Sequence, residues 1–227
     1  MSDRPILIAG GGIGGLAAAI GLAQKGFPVL VLEKARQLGE IGAGIQLGPN
    51  AFHAFDYLGV GETARKMAVY VDSLRLMDAL TADEICRIPL GEAFRARMGN
   101  PYAVVHRGEL HGVFLEACEA HPLVELRTSS AVAGYAQDGG SATAILESGE
   151  RVTGRALIGA DGLWSPVRAQ LVGDGAPRVS GHTTYRSVIP VDEMQEELRL
   201  NAATLWAGPR CHIVHYPLSG WKLFNLV

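Results

Sequence analysis

The sequence predicts an α/β chain in which a parallel-sheet domain is interleaved with an antiparallel-sheet domain. Three observations carry this. Unbroken apolar runs at Pro5–Ala9 and Val29–Leu32 flank a helical period, the pattern of a βαβ unit with strands buried on both faces. Alternating runs such as Tyr70–Met77 read as half-exposed antiparallel strands. The two patterns recur in turn along the chain, so neither domain is a single continuous segment. Expected boundaries are 1–70 and 100–180 for the first domain, and 71–99 and 181–227 for the second.

Composition sets the frame. The chain has 227 residues, 48% hydrophobic and 19% charged. A chain of this size buries about 70% of its surface on folding, enough for a core without staples. That excludes disorder, and the scattered basic residues with a net charge of -3 show no footprint for nucleic acid or a membrane. Cys86, Cys118 and Cys211 are odd in number and far apart, which argues against a disulfide framework or a zinc site. No signal peptide stands at the start, and the longest apolar stretch, Ile13–Ala23, is too short and glycine-rich to span a bilayer. The expected setting is cytoplasmic.

In order, Pro5–Ala9 is a buried strand that stops at Gly10-Gly11-Gly12. Ile13, Leu16, Ala17, Ile20 and Ala23 line one face of a helix, with Gly26 as its C-terminal stop. Val29–Leu32 is the second buried strand. A short helix is expected over Ala51–Leu58, with Phe52, Phe55, Met67 and Met77 as core. Ile85–Pro89 partners Tyr70–Met77. Leu110, Val113, Phe114, Ala117 and Cys118 mark another helix face, with His106 and His111 flanking its start as cap or surface residues. Strands follow near Val124, Val132 and Ala144, then a buried strand over Arg155–Ala160. Ser165 reads as an N-cap before Pro166. From Thr183 onward strands are expected around Tyr185, Thr204, Ile213 and Phe224. The chain stops inside an apolar run, Trp221–Val227, and is expected to be the N-terminal part of a longer protein.

Gly10-Gly11-Gly12-Ile13-Gly14-Gly15 matches the dinucleotide fingerprint G-x-G-x-x-G through Gly10, Gly12 and Gly15. The glycines allow a tight turn, backbone approach to a pyrophosphate and close helix–strand packing, while the helix N–H groups hold the anion. Glu33, at the end of the second strand, can accept from ribose hydroxyls. The first domain is therefore Rossmann-like, and the fingerprint alone leaves FAD and NAD open.

A more distant segment is specific. Ala156-Leu157-Ile158-Gly159-Ala160-Asp161-Gly162, followed by Ser165 and Arg168, resembles the Asp-Gly motif of the class A flavoprotein aromatic hydroxylases. Glu40–Gln46 resembles that family's loop past the flavin, and His106-Arg107 before Leu110 its flavin-contacting helix start. Gly208-Pro209-Arg210-Cys211-His212, then Tyr216-Pro217, resembles the 3-hydroxybenzoate 6-hydroxylase branch, as does Pro101-Tyr102. The family's later Gly-Asp motif is not in this sequence.

The resemblance implies FAD as cofactor, reduction by NADH or NADPH, molecular oxygen as co-substrate and a small phenolic aromatic acid as substrate. 3-Hydroxybenzoate giving gentisate is the leading reaction, with salicylate or 6-hydroxynicotinate behind it. The oligomeric state stays open, a homodimer among the options, and no metal is expected. An NAD-dependent dehydrogenase and a non-catalytic flavin-binding fragment are the rivals from other classes. The expected cofactor-binding residues are Gly10, Gly12, Ile13, Gly14, Gly15, Glu33, Lys34, Gly44, Ile45, Arg107, Asp161 and Gly162.

The catalytic candidates come from the run Arg210–Tyr216. Side chains alternate along a strand, so Arg210, His212, Val214 and Tyr216 share one face, and Cys211 and His215 the other. His212 and His215 therefore cannot jointly hold a metal, and Cys211 with His212 is no nucleophile–base pair. A phenolate is a better nucleophile than a phenol, and a histidine titrates in the range to remove that proton. By resemblance His212 takes that role and Tyr216 sits by the substrate.

Overall fold

The computed structural model describes residues 4–39 and 42–227. The chain opens with β1 (Ile6–Ala9), α1 (Ile13–Ala23) and β2 (Val29–Leu32), as expected. Then come β3 (Gly44–Leu47), α2 (Pro49–Tyr57), α3 (Gly61–Met67), β4 (Ser73–Asp78), β5 (Glu84–Pro89), α4 (Glu92–Met98), β6 (Ala103–His106) and α5 (Arg107–Glu119). The sequence continues through β7 (Val124–Arg127), β8 (Val132–Gln137), β9 (Ala142–Leu146), β10 (Arg151–Gly154), β11 (Ala156–Gly159) and α6 (Pro166–Val172). It ends with β12 (Ser187–Pro190), β13 (Ala202–Gly208), β14 (Cys211–Leu218) and β15 (Leu223–Leu226).

Some expectations are corrected. The helix expected from Ala51 starts at Pro49, whose fixed φ suits the first helical position. Helices α3 and α4 were not expected. Both are seven residues with charged first and last turns, too short for a helical period to stand out. No strand forms at Tyr185, which is exposed; the strand there starts at Ser187 and pairs with β15. Met67 is half-buried, whereas Phe52, Phe55 and Met77 are buried.

The chain divides into two compact units, each built from two segments. One spans Met1–Glu40 and His111–Gly181, the other Ile41–Leu110 and His182–Val227. The interleaving is as expected. Segments 41–70 and 100–110, placed by sequence with the nucleotide-binding part, pack in the second unit, because β3 pairs β6 and Val69 bridges Val104.

In the first unit a parallel sheet runs in the order β11-β1-β2-β7. Strands β1 and β2 are buried at every residue. Helix α1 buries Gly15, Leu16, Ala19, Ile20 and Ala23, so Ala19 replaces Ile13 and Ala17 of the expected face. A three-stranded antiparallel sheet, β10-β9-β8, supplies Val132, Ala144 and Leu146 to a core shared with Leu7, Leu30, Leu32 and Val167. Strand β11 is not the buried strand expected: among the described residues it pairs only with β1, and Ala156 and Gly159 are exposed at this sheet edge.

In the second unit a six-stranded sheet runs β12-β15-β14-β13-β4-β5. It is antiparallel except that β13 lies parallel to β4. These two strands come from different segments, so no hairpin imposes the opposite sense. One face packs Ala203, Tyr216 and Leu218 against Val69, Val71, Leu90 and Val104. Beside it, Arg65 holds both oxygens of Asp56 and donates to Asn100, which ties α2, α3 and the turn before β6 together.

The opposite face of β14 carries His215, 3% exposed. The Trp206 Nε1–H donates to its Nε2 at 3.0 Å. Burial, helped by Arg75, pushes its pKa down from 6.5 to about 4. The folded ring is neutral, whereas the unfolded chain takes up the proton near its ordinary value. Its contribution is therefore complete above pH 6.5 and is lost as pH falls towards 4. Across that window it is worth about 3 kcal/mol, at ~1.4 kcal/mol per tenfold change in proton affinity. In urea titrations at pH 7 and pH 4.5, His215→Gln, which keeps an acceptor for Trp206 but takes no proton, should lose clearly less stability on acidification than wild type. Equal losses would show that His215 does not carry this acid sensitivity.

Candidate cofactor cradle and catalytic strand

The fingerprint forms a turn that only glycine fits at two of its positions. Gly10 has φ +103°, and a Cβ there would lie 2.4 Å from the Ala160 carbonyl oxygen. A Cβ on Gly15 would lie 2.0 Å from the Gly10 carbonyl oxygen. The close packing required of such a turn is thus present between β1, α1 and the segment after β11. Gly12 is the N-cap of α1, no side chain caps the helix, and no acidic residue stands in its first turn. Its leading N–H groups are left to an anion.

Gly10, Gly12, Glu33, Lys34, Asp161 and Gly162 line one cavity of about 410 Å³, together with Ala131, Val132, Glu147 and Trp164. The volume is in the range of small-molecule sites. Sequence reading missed Ala131, Val132 and Glu147, because they belong to or flank β8 and β9, whose short alternating patterns carry no cofactor signal. Ile13, Gly14 and Gly15 start α1 beside the cavity without lining it.

Glu33 bonds through both oxygens: Oε2 accepts from the Gly11 N–H at 2.6 Å and Oε1 from the Ala35 N–H at 2.8 Å. A carboxylate has about four acceptor positions, so capacity for ribose hydroxyls is left. Asp161 accepts from the Ser165 hydroxyl at 2.5 Å and from the Val167 N–H at 3.4 Å. Ser165 in turn accepts from the Arg168 N–H at 2.9 Å, the N-cap expected for it. Arg168 itself pairs with Asp174. Asp161 therefore braces the start of α6 while lining the cavity.

His111 departs from expectation. It is neither cap nor surface residue but 2% exposed, with Nε2 2.8 Å from the Gly11 carbonyl oxygen. It lies one position past Leu110 and three before Phe114, on the buried side of α5. His106 does act as a cap, its Nδ1 accepting the Glu109 N–H at 3.4 Å.

The second unit holds the remaining candidates. Gly44 and Ile45 lie in β3, paired with His106 and Val105, and the Arg107 N–H donates to the Ala43 carbonyl. Glu40 and Ile41, of the same expected loop, lie outside the described residues. A Cβ on Gly44 would sit 2.5 Å from the Tyr216 ring and 2.8 Å from Asn225, whose Oδ1 accepts the Gly44 N–H at 2.7 Å. Asn225 is fully buried and was missed, though a lone amide inside the apolar run Trp221–Val227 is a readable signal.

His212 and Tyr216 share a face of β14, with His215 on the other, as the alternation requires. Arg210 does not belong to that face. It is a turn residue with φ +60°, outside the strand. His212 is exposed, and Tyr216 is 3% exposed. Burial pushes the Tyr216 phenol up to about 12, so it stays protonated at neutral pH.

The glycine cradle, the open helix start and the acid after β2 fit the adenosine diphosphate half of FAD. Comparison with known proteins agrees. Residues 3–201 match the FAD binding domain family. The chain is 60% identical over 222 residues to 3-hydroxybenzoate 6-hydroxylase 1 of Aquipseudomonas alcaligenes, covering 98% of this chain and 56% of that protein. It is 54% identical over 226 residues to 3-hydroxybenzoate 6-hydroxylase of Polaromonas naphthalenivorans (strain CJ2), covering 100% and 56%. The solved 2,6-dihydroxypyridine-3-hydroxylase of Arthrobacter nicotinovorans matches with a TM-score of 0.81 at 25% identity, over 99% of this chain and 55% of that one. The chain thus spans little more than half the length of these relatives. It belongs to the FAD-binding domain family, in the group of the class A flavoprotein aromatic hydroxylases.

Proposed function

We propose that the full-length protein is an FAD- and NAD(P)H-dependent monooxygenase that hydroxylates 3-hydroxybenzoate para to its phenol, giving gentisate. The observation that carries this reading is the identity of 54–60% over almost the whole chain to proteins named for that reaction. In the net reaction one atom of O₂ enters the ring as hydroxyl and the other leaves as water. The nicotinamide cofactor supplies the two electrons. Bound FAD supplies the redox relay and the electrophilic oxygen.

The chain's own residues do the rest. The N–H groups of Gly12 to Gly15 hold the diphosphate, Glu33 accepts from the ribose, and Asp161 and Gly162 close the same cavity. His212 takes the phenol proton, which raises electron density on the ring position to be attacked. Tyr216, protonated and buried, donates a hydrogen bond and places the ring. A cytoplasmic setting belongs to this reading, supported by Cys86, Cys118 and Cys211 all being free thiols.

Full-length protein with FAD and NADH should show NADH oxidation stimulated by 3-hydroxybenzoate and accumulate gentisate. Catechol from salicylate alone, or turnover of 6-hydroxynicotinate alone, would keep the chemistry and move the substrate. No stimulation by any of the three, with no flavin bound, would return the cradle to a dehydrogenase. His212→Ala should lower kcat by about 10²-fold or more while the flavin spectrum stays unchanged; an unaltered kcat would remove His212 from the reaction. Gly15→Ala, whose new Cβ meets the Gly10 carbonyl at 2.0 Å, should weaken FAD uptake at least tenfold in a fluorescence titration; undiminished uptake would show that the turn does not hold the cofactor.

A further inference from the structure

The run Gly10-Gly11-Gly12 has no side chain of its own to fix its peptides. Glycine visits both halves of the backbone map, so a Gly–Gly peptide turns over with little steric resistance. In a site that binds through N–H groups, the direction of each peptide decides whether a donor or an acceptor faces the ligand.

Two side chains from distant positions close on Gly11. Glu33 takes its N–H at 2.6 Å, and His111 reaches its carbonyl oxygen at 2.8 Å. A carbonyl only accepts, so the His111 Nε2 carries the proton and donates. The ring is 2% exposed, so water does not compete for this bond. Loss of the donor would leave a buried carbonyl unpaired, and the cheapest relief is rotation of the peptide itself.

The peptide between Gly11 and Gly12 is trans. In a trans peptide the C=O and the following N–H point to opposite sides. With the Gly11 carbonyl held on His111, the Gly12 N–H is turned away from His111. Gly12 lines the cavity and is the uncapped N-cap of α1. We infer that His111 is a positioning residue for the diphosphate. It does not touch the cofactor; through the Gly11 carbonyl it orients the Gly12 N–H as a donor. The inference rests on reading Gly10–Gly15 as the diphosphate cradle.

The test uses the full-length apoprotein titrated with FAD by flavin fluorescence, with ³¹P NMR of the bound diphosphate. His111→Gln and His111→Met have side chains of equal length, and only Gln carries an N–H donor. The Met variant should bind FAD at least tenfold more weakly and shift the ³¹P resonances. The Gln variant should stay within about threefold of wild type, with wild-type resonances. Should the Met variant fail to fold, His111→Asn, whose amide is one bond shorter, replaces it and should behave as a donor loss. A Met or Asn variant with wild-type affinity and ³¹P shifts, whatever its melting temperature, would overturn the inference. So would a Gln variant as weak as the Met variant. Wild-type protein that takes up no FAD would remove the reading of the cradle and the inference with it.

Discussion

Backbone meeting backbone at the Gly10–Gly15 turn is the constraint on which the first unit depends. The turn joins β1 to α1 and lies against the segment that follows β11, with Gly10 only 2.4 Å, at its missing Cβ, from the Ala160 carbonyl. Side chains at Gly10 and Gly15 would hold these three pieces apart. Their absence lets the helix start sit close to the strand, so that Gly12 at the N-cap of α1, the ends of β1 and β2 and the segment after β11 border one cavity.

That closeness has a cost: a glycine run is conformationally loose. The molecule offsets it with hydrogen bonds from outside the run. Glu33 reaches back from β2 and His111 reaches in from α5, while Asp161 is held by Ser165 and the start of α6. The cavity wall is thus tied by hydrogen bonds where it has least side-chain packing of its own. The second unit repeats the theme on a smaller scale. Gly44 has no room for a side chain beside Tyr216, and the buried Asn225 holds its N–H.

What could be read from the sequence follows from how local the signal is. The βαβ unit was legible because β1 and β2 are buried on both faces and read as unbroken apolar runs. The start of α6 was legible because Ser165 and Pro166 are a local cap. Helices α3 and α4 were not, since each is only seven residues, about two turns, with charged residues in its first and last turns. The limits of the two compact units were not legible, because they depend on β3 pairing with β6, some sixty residues apart in sequence, which no local pattern encodes. The same holds for the site. Glycines and Glu33 announce themselves by spacing. His111 and Asn225 act on Gly11 and Gly44 across 100 and 181 residues, so their roles appear only in the fold. His212 and Tyr216 share a face by alternation, but the reaction assigned to them comes from the likeness to named relatives.

The account stands or falls on whether the Gly10–Gly15 cradle is where FAD binds. A crystal structure of the full-length protein with FAD tests this most directly. The account predicts density for the diphosphate against the N–H groups of Gly12 to Gly15, with the adenosine ribose at Glu33. Density for FAD elsewhere, with the cradle filled only by solvent, would contradict it.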